Sequence, residues 1–210
     1  FAHNLNLIVQ CGVQCVKETI RKIKGIVEFF KRSAQATAKL KEMQVQLGEP
    51  SLKLKKDVVT RWNSTYDMLQ RIIDVQKPLI STIALNYPEL EHISADDIVK
   101  IQHICEILKP FKDCTEEMTS EQQVTASKVI LLSQSLKQWH NSFKNRTSLH
   151  NDVRQMPEKL KDALDFRFKD IERHSLFAYA TVLDPRFKFH GFSDKQCAEK
   201  AKKNLVSFCK

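Results

Sequence analysis

Glycine is scarce in this chain, with 4 residues in 210, and so are proline, at 6, and aromatic side chains, at 8%. So few turn-formers argue against a sheet-and-turn architecture, and no segment alternates apolar and polar residues long enough to read as a strand. Six cysteines occur without a C-x-x-C pair or a close Cys/His set. Neither a structural zinc site nor a disulfide framework is therefore expected within the chain, and most of the thiols are expected to be small core residues in a reducing compartment. No apolar run approaches the roughly 18 to 20 residues of a membrane span. The patterns G-x-x-x-x-G-K-[ST], G-x-G-x-x-G, H-E-x-x-H and G-x-S-x-G are all missing, which removes the common nucleotide, metalloprotease and hydrolase signatures. The neighbouring carboxylates Asp96-Asp97 and Glu116-Glu117 point to different sides of a helix and do not converge on one metal.

What is present is a composition of 42% hydrophobic and 28% charged residues, that of a soluble globular domain long enough to bury a sizeable core. The chain opens at Phe1 rather than Met and stops inside a helical pattern, so it is expected to be a piece of a longer protein with any targeting signal elsewhere. Its net charge of +9 is unevenly spread: +7 over residues 17–56, −6 over 57–127 and +8 over 128–210. Two basic ends around an acidic middle suit an anionic partner such as a phosphate backbone, or else describe solvated helix faces. The triplets Asn63-Ser64-Thr65 and Asn145-Arg146-Thr147 match a glycosylation pattern that carries no meaning in an intracellular chain.

Apolar residues recur at three-four spacing almost throughout. Leu5, Ile8, Gly12 and Cys15 share one face of a first helix, with His3 in its first turn; taken alone, His3 reads as a surface or capping residue. One longer helix is expected from Ile20 to Leu47, ended by Gly48 and Pro50, with its alanine-rich middle at Ser33–Ala38 leaving room for a neighbouring backbone. Lys53, Lys55 and Lys56 form a basic loop, either a phosphate-tracking segment or a solvated connector. Leu69, Ile72, Ile73, Ile80 and Ile83 stripe the next helix, which Pro78 is expected to kink or split. Ser94 and Asp97 have capping-box spacing before Ile98, Ile101, Cys105 and Leu108, and Pro110 is expected to end that run before a short restart at Phe111. Val129, Leu132, Leu136, Trp139 and Phe143 put Trp139 in a core. Met156, Leu160, Leu164, Phe168 and Ile171 follow, then a turn at Asp184-Pro185. Ser193 and Gln196 are expected to cap a last helix with Cys197, Ala201, Leu205 and Phe208 inward.

The stretch around which these helices are organised is Asp57-Val58-Val59-Thr60-Arg61-Trp62-Asn63-Ser64-Thr65-Tyr66-Asp67-Met68-Leu69. Ser64 and Asp67 have the S-x-x-D spacing of a helix start, so Arg61 and Trp62 are expected to project from a helix entrance. Side-chain statistics favour packing over ligand contact for a Trp in that place. The block nevertheless resembles the Arg-Trp block of the hAT transposase superfamily, including its BED zinc finger relatives. Three further segments are similar to that family's blocks in the same order. Phe1-Ala2-His3-Asn4-Leu5-Asn6-Leu7 matches all but the first residue of [C/D]-x-x-H-x-L-N-L, Phe29-Phe30-Lys31-Arg32-Ser33 matches F-F-[KR]-x-S, and Leu183-Asp184-Pro185-Arg186-Phe187-Lys188 matches L-D-P-R-F-K.

The resemblance implies a mainly α fold, the helical insertion domain of an RNase H-like hAT transposase. Residues 1–60 would then flank the RNase H-like core and residues 61–210 would form the all-helical insertion. The family's catalytic acids would lie outside the chain, which is expected to hold no complete active site. Arg61 and Trp62 are implied as DNA-binding residues, Trp62 as an aromatic platform for an unpaired base and Arg61 as a phosphate contact, with His3 at the edge of the active site. The implied parent is a nuclear DNA-binding protein, either a transposase-derived regulator of transcription or an active transposase. It would carry zinc in a BED finger, with Mg or Mn in a surviving active site, and would form homo-oligomers through regions beyond this chain. No cofactor, metal or membrane contact is expected within residues 1–210. A helical scaffold that binds only proteins is the remaining class.

Overall fold

The computed structural model describes residues 1–58, 60–119, 126–143, 146 and 148–208, the last without its side chain. Val59, Asn145, Thr147, Cys209 and the Phe208 side chain, all named above, lie outside the described residues. Ten α-helices, and no β-strand, occur among the described residues. They are α1 (Ala2–Val13), α2 (Lys17–Arg32), α3 (Ala34–Gln46), α4 (Trp62–Asp74), α5 (Gln76–Asn86), α6 (Ala95–Thr119), α7 (Val129–Phe143), α8 (Met156–Arg167), α9 (Ser175–Leu183) and α10 (Lys195–Phe208). Short 3-10 turns at Gln14–Val16, Ala126–Lys128, Asn151–Val153 and Ile171–Arg173 link some of them. The mainly helical class expected from the three-four rhythm is what forms.

The chain divides into two compact units. One contains Gly12–Lys109 and Ser148–Met156. Its core includes the inward stripe of α2 (Ile20, Ile23, Ile26, Val27, Phe30), which packs on α4, with Met68, Leu69 and Ile72 of α4 and Leu79 and Ile83 of α5. Phe29, Phe30 and Tyr87 meet edge to face, with ring centroids 5.0 to 6.0 Å apart. α3 packs on α5 and buries Ala36 completely, the close approach that its small residues allow. The other unit contains Phe1–Cys11, Pro110–Thr147 and Pro157–Lys210. Here Leu5, Ile8 and Val9 share a core with Phe111, Val129, Ile130, Leu160, Leu164 and Phe168, and Phe1 stacks on Phe168 at 5.0 Å. Gly191 sits where a Cβ would lie 2.8 Å from Leu131 Cδ1, so a larger residue there would require the Leu131 side chain to shift.

Several local expectations change for identifiable reasons. The single helix expected from Ile20 to Leu47 breaks at Ser33, which is extended (φ −105°, ψ 109°). The Ser33 hydroxyl accepts the Ala36 N–H at 3.0 Å, so a serine's ability to cap outweighs the helix propensity of its neighbours. Gly48, at φ +67°, ends α3 as expected. Pro78 falls in the first turn of α5, where it is tolerated, and the split comes just before it at Val75. Pro110 does not end its helix: α6 continues past it. Ile107, Leu108 and Phe111 are fully buried around it, and at about 1.5 to 3 kcal/mol each their burial outweighs the roughly 3 kcal/mol that an internal proline costs. On α7 the buried face is Val129, Ile130, Ser133, Leu136 and His140, rotated from the one expected. Trp139 is half-buried, in edge contact with Phe111 at 5.4 Å.

Two of the three expected caps are relocated. Ser94 and Asp97 do form the reciprocal box, with N–H to side-chain distances of 2.9 and 3.1 Å, and Lys22 adds a charge at 2.9 Å from Asp97. At α10, however, Asp194 rather than Ser193 caps, accepting the Gln196 N–H at 2.8 Å. Ser193 instead donates to the buried Glu172 from both its N–H and its hydroxyl. The third case is Ser64, at the entrance of α4. Among the cysteines, Cys105 and Cys114 are buried, and desolvation pushes their thiols up to about 12 and about 11. Cys11 is exposed and Cys15 and Cys197 are half-buried, so fewer thiols are core residues than expected.

Candidate nucleic-acid interface

Residues 48–61 carry the chain from the end of α3 to the start of α4 inside a single compact unit. Along this loop Leu54 and Asp57 turn inward while Lys53, Lys55 and Lys56 stay exposed. The backbone of the loop is tied down at two points: Gln44, itself fully buried, donates to the Leu52 carbonyl at 3.0 Å, and Arg71 donates to the Lys53 carbonyl at 2.7 Å. A lysine-bearing segment held this way presents its charges from a fixed backbone.

Asp57 is the staple of the arrangement. The residue is 8% exposed, and its carboxylate accepts the Ser64 hydroxyl and the Thr65 hydroxyl, each at 2.8 Å, while Lys24 from α2 lies 2.6 Å away. Burial alone would raise the Asp57 pKa. The hydrogen bonds from Lys24, Thr65 and Ser64, with the charge of Lys24, outweigh it and hold the carboxyl below its ordinary value. Ser64 therefore does not cap α4, which begins two residues earlier at Trp62 with Arg61 at the N-cap. It sits within the first turn, accepts the Val58 N–H at 2.7 Å and donates to Asp57, a carboxylate of the loop. The sequence signal for this role was available: Asp57 opens the organising block and is the only acid between Glu49 and Asp67.

Arg61 and Trp62 are adjacent at this entrance, one exposed and the other buried. Trp62 is 5% exposed and belongs to the core of its unit. A base platform needs an open ring face, which Trp62 does not offer in this conformation. Arg61 is exposed, and among the described residues no carboxylate lies within 4 Å of its guanidinium. Lys55 approaches Asp67 only at 4.0 Å. The entrance of α4 thus presents a cluster of cations whose nearest buried acid, Asp57, is already occupied by Lys24. His3 is exposed in the first turn of α1 and belongs to the other compact unit. The turn at Asp184 forms as expected: its carboxylate accepts the Arg186 N–H at 3.0 Å and the Arg186 guanidinium at 2.9 and 2.7 Å, which holds it below its ordinary pKa. Among the described residues no three His, Cys, Asp or Glu side chains gather as a metal site would require.

Known proteins are similar to this chain. The ZBED1 RNase-like helical domain matches residues 1–107. Zinc finger BED domain-containing protein 4 of Homo sapiens is 31% identical over 209 residues, which covers 98% of this chain and 17% of the human protein. Zinc finger BED domain-containing protein RICESLEEPER 3 of Oryza sativa subsp. japonica is 28% identical over 196 residues, covering 90% of this chain and 25% of that protein. A Zea mays protein named as an AC transposase is 28% identical over 212 residues, covering 92% and 25%. The chain spans about a quarter or less of the length of these relatives. By its domain match and its relatives, the chain belongs to the ZBED1 RNase-like helical domain family, among the hAT transposase-derived BED zinc finger proteins.

Proposed function

We propose that this chain is a DNA-contacting part of a nuclear, transposase-derived protein that acts in transcription, and that Arg61 at the α4 entrance is a phosphate contact. The observation that carries this reading is the exposed Arg61, free of any carboxylate within 4 Å among the described residues, fixed by a helix start that Asp57 staples from below. Lys53, Lys55 and Lys56 extend the same charge along a tethered loop, the pattern with which proteins track a sugar–phosphate backbone without reading sequence. Trp62 serves from behind, its ring in the core locking the backbone that carries Arg61. Zinc in an upstream BED finger and assembly into homo-oligomers belong to the parent protein in this reading.

The test is a salt titration of the full-length protein on duplex DNA. Phosphate contacts give a log affinity that falls linearly with log salt, by about 0.9 per contact. A linear fall supports the reading, whereas an affinity indifferent to salt favours a helical scaffold that binds only proteins. Strand transfer by an intact transposase is a second reading, favoured by the Zea mays relative. Cleavage of DNA ends by the full-length protein with magnesium or manganese would establish it.

A further inference from the structure

A second basic surface lies on α10, in the compact unit that does not contain Arg61. Lys195, Lys200, Lys202 and Lys203 are all exposed. Most carboxylates near them in the chain are spent inside the fold. Asp184 is held by Arg186 and by the Ser127 hydroxyl at 2.7 Å. Asp194 turns back onto the Gln196 N–H, and Glu172 accepts the Ser193 and Asp194 N–H groups at 2.9 and 3.0 Å. Glu199 is the one acid of α10, and among the described residues no carboxylate comes within 4 Å of any of the four lysines. Lys195, Lys200 and Lys203, with Gln196, Glu199 and Asn204, rim an open depression of about 410 Å³. Lys200 and Asn204 also border a more enclosed cavity of about 310 Å³ that reaches Arg173 and Tyr179.

We infer that this surface is a second contact for the sugar–phosphate backbone of nucleic acid. Gln196, Lys200 and Lys203 follow one another at helical spacings of four and three, and Asn204 stands four beyond Lys200, so each neighbours another along one side of α10. From Lys195 to Lys203 the helix rises about 12 Å, which matches about three phosphates along one strand at roughly 3.4 Å of duplex axis each. Long cations and amides recognise phosphate oxygens without a sequence preference, and the two concavities give a backbone somewhere to lie. The inference rests on the proposal that the parent protein binds DNA, and it adds a contact that is independent of Arg61.

The experiment compares full-length wild type with the Lys200→Gln/Lys203→Gln double variant and with Lys203→Gln alone, each titrated with salt on one duplex. Both side chains are exposed, so melting temperatures should agree within about 2 °C. The double variant should lose about 1.8 from the log–log slope and the single variant about half of that, so that the wild-type advantage shrinks roughly tenfold between 50 and 200 mM salt. A wild-type slope retained in full by the double variant overturns this inference and leaves the DNA-binding reading standing. A wild type with no salt-dependent binding overturns both.

Discussion

At the scale of single residues the account turns on Asp57. Asp57→Ala would leave Lys24 half-buried opposite two hydroxyls without their acceptor, and removing one member of such a set should cost about 2 to 4 kcal/mol, measured by denaturant unfolding. Because the folded pKa of Asp57 is depressed, its contribution is complete above the ordinary carboxylate range and is lost as pH falls toward the folded value. The stability gap between wild type and Asp57→Asn should therefore be constant above about pH 5 and should close below about pH 4. Trp62→Ala should cost about 3 to 5 kcal/mol, since the ring is 5% exposed. A Trp62→Ala protein that melts like wild type would return Trp62 to the role of an aromatic platform. The sequence named Arg61 and Trp62 together because they are adjacent in a block, but adjacency does not say which side of the helix entrance meets solvent. Burial decides that, and it separates the two.

At the scale of elements, the helical class and most inward faces were legible because an apolar residue every three or four positions has one physical meaning. The boundaries were less so, and at Ser64 and Ser193 a partner from outside the capping pattern made the difference. Ser64 looked like a cap because Asp67 stood three residues on, while the carboxylate it binds is Asp57, seven residues before it. Ser193 looked like a cap until Glu172 claimed it. Pro110 looked like a stop because propensity counts the missing N–H and not the three fully buried side chains beside it. That explanation makes a prediction: Pro110→Ala restores a backbone donor within an unbroken α6 and should raise the unfolding free energy by about 1 kcal/mol or more. A loss of stability would mean that the proline ring itself fills a space the helix needs.

At the scale of the whole molecule, the uneven charge acquires an address. The basic region 17–56 ends in a lysine loop tethered beside Arg61, and the basic region 128–210 ends in the exposed lysines of α10, while three acids, Asp57, Asp97 and Glu172, are buried against partners inside the fold. The most direct measurement is Arg61→Ala in the full-length protein, with melting and salt-dependent duplex binding recorded on the same sample. The account predicts a melting temperature within about 2 °C of wild type and a log–log slope reduced by about 0.9, equally on unrelated DNA sequences. An unchanged slope, or a collapsed melting temperature, would contradict it.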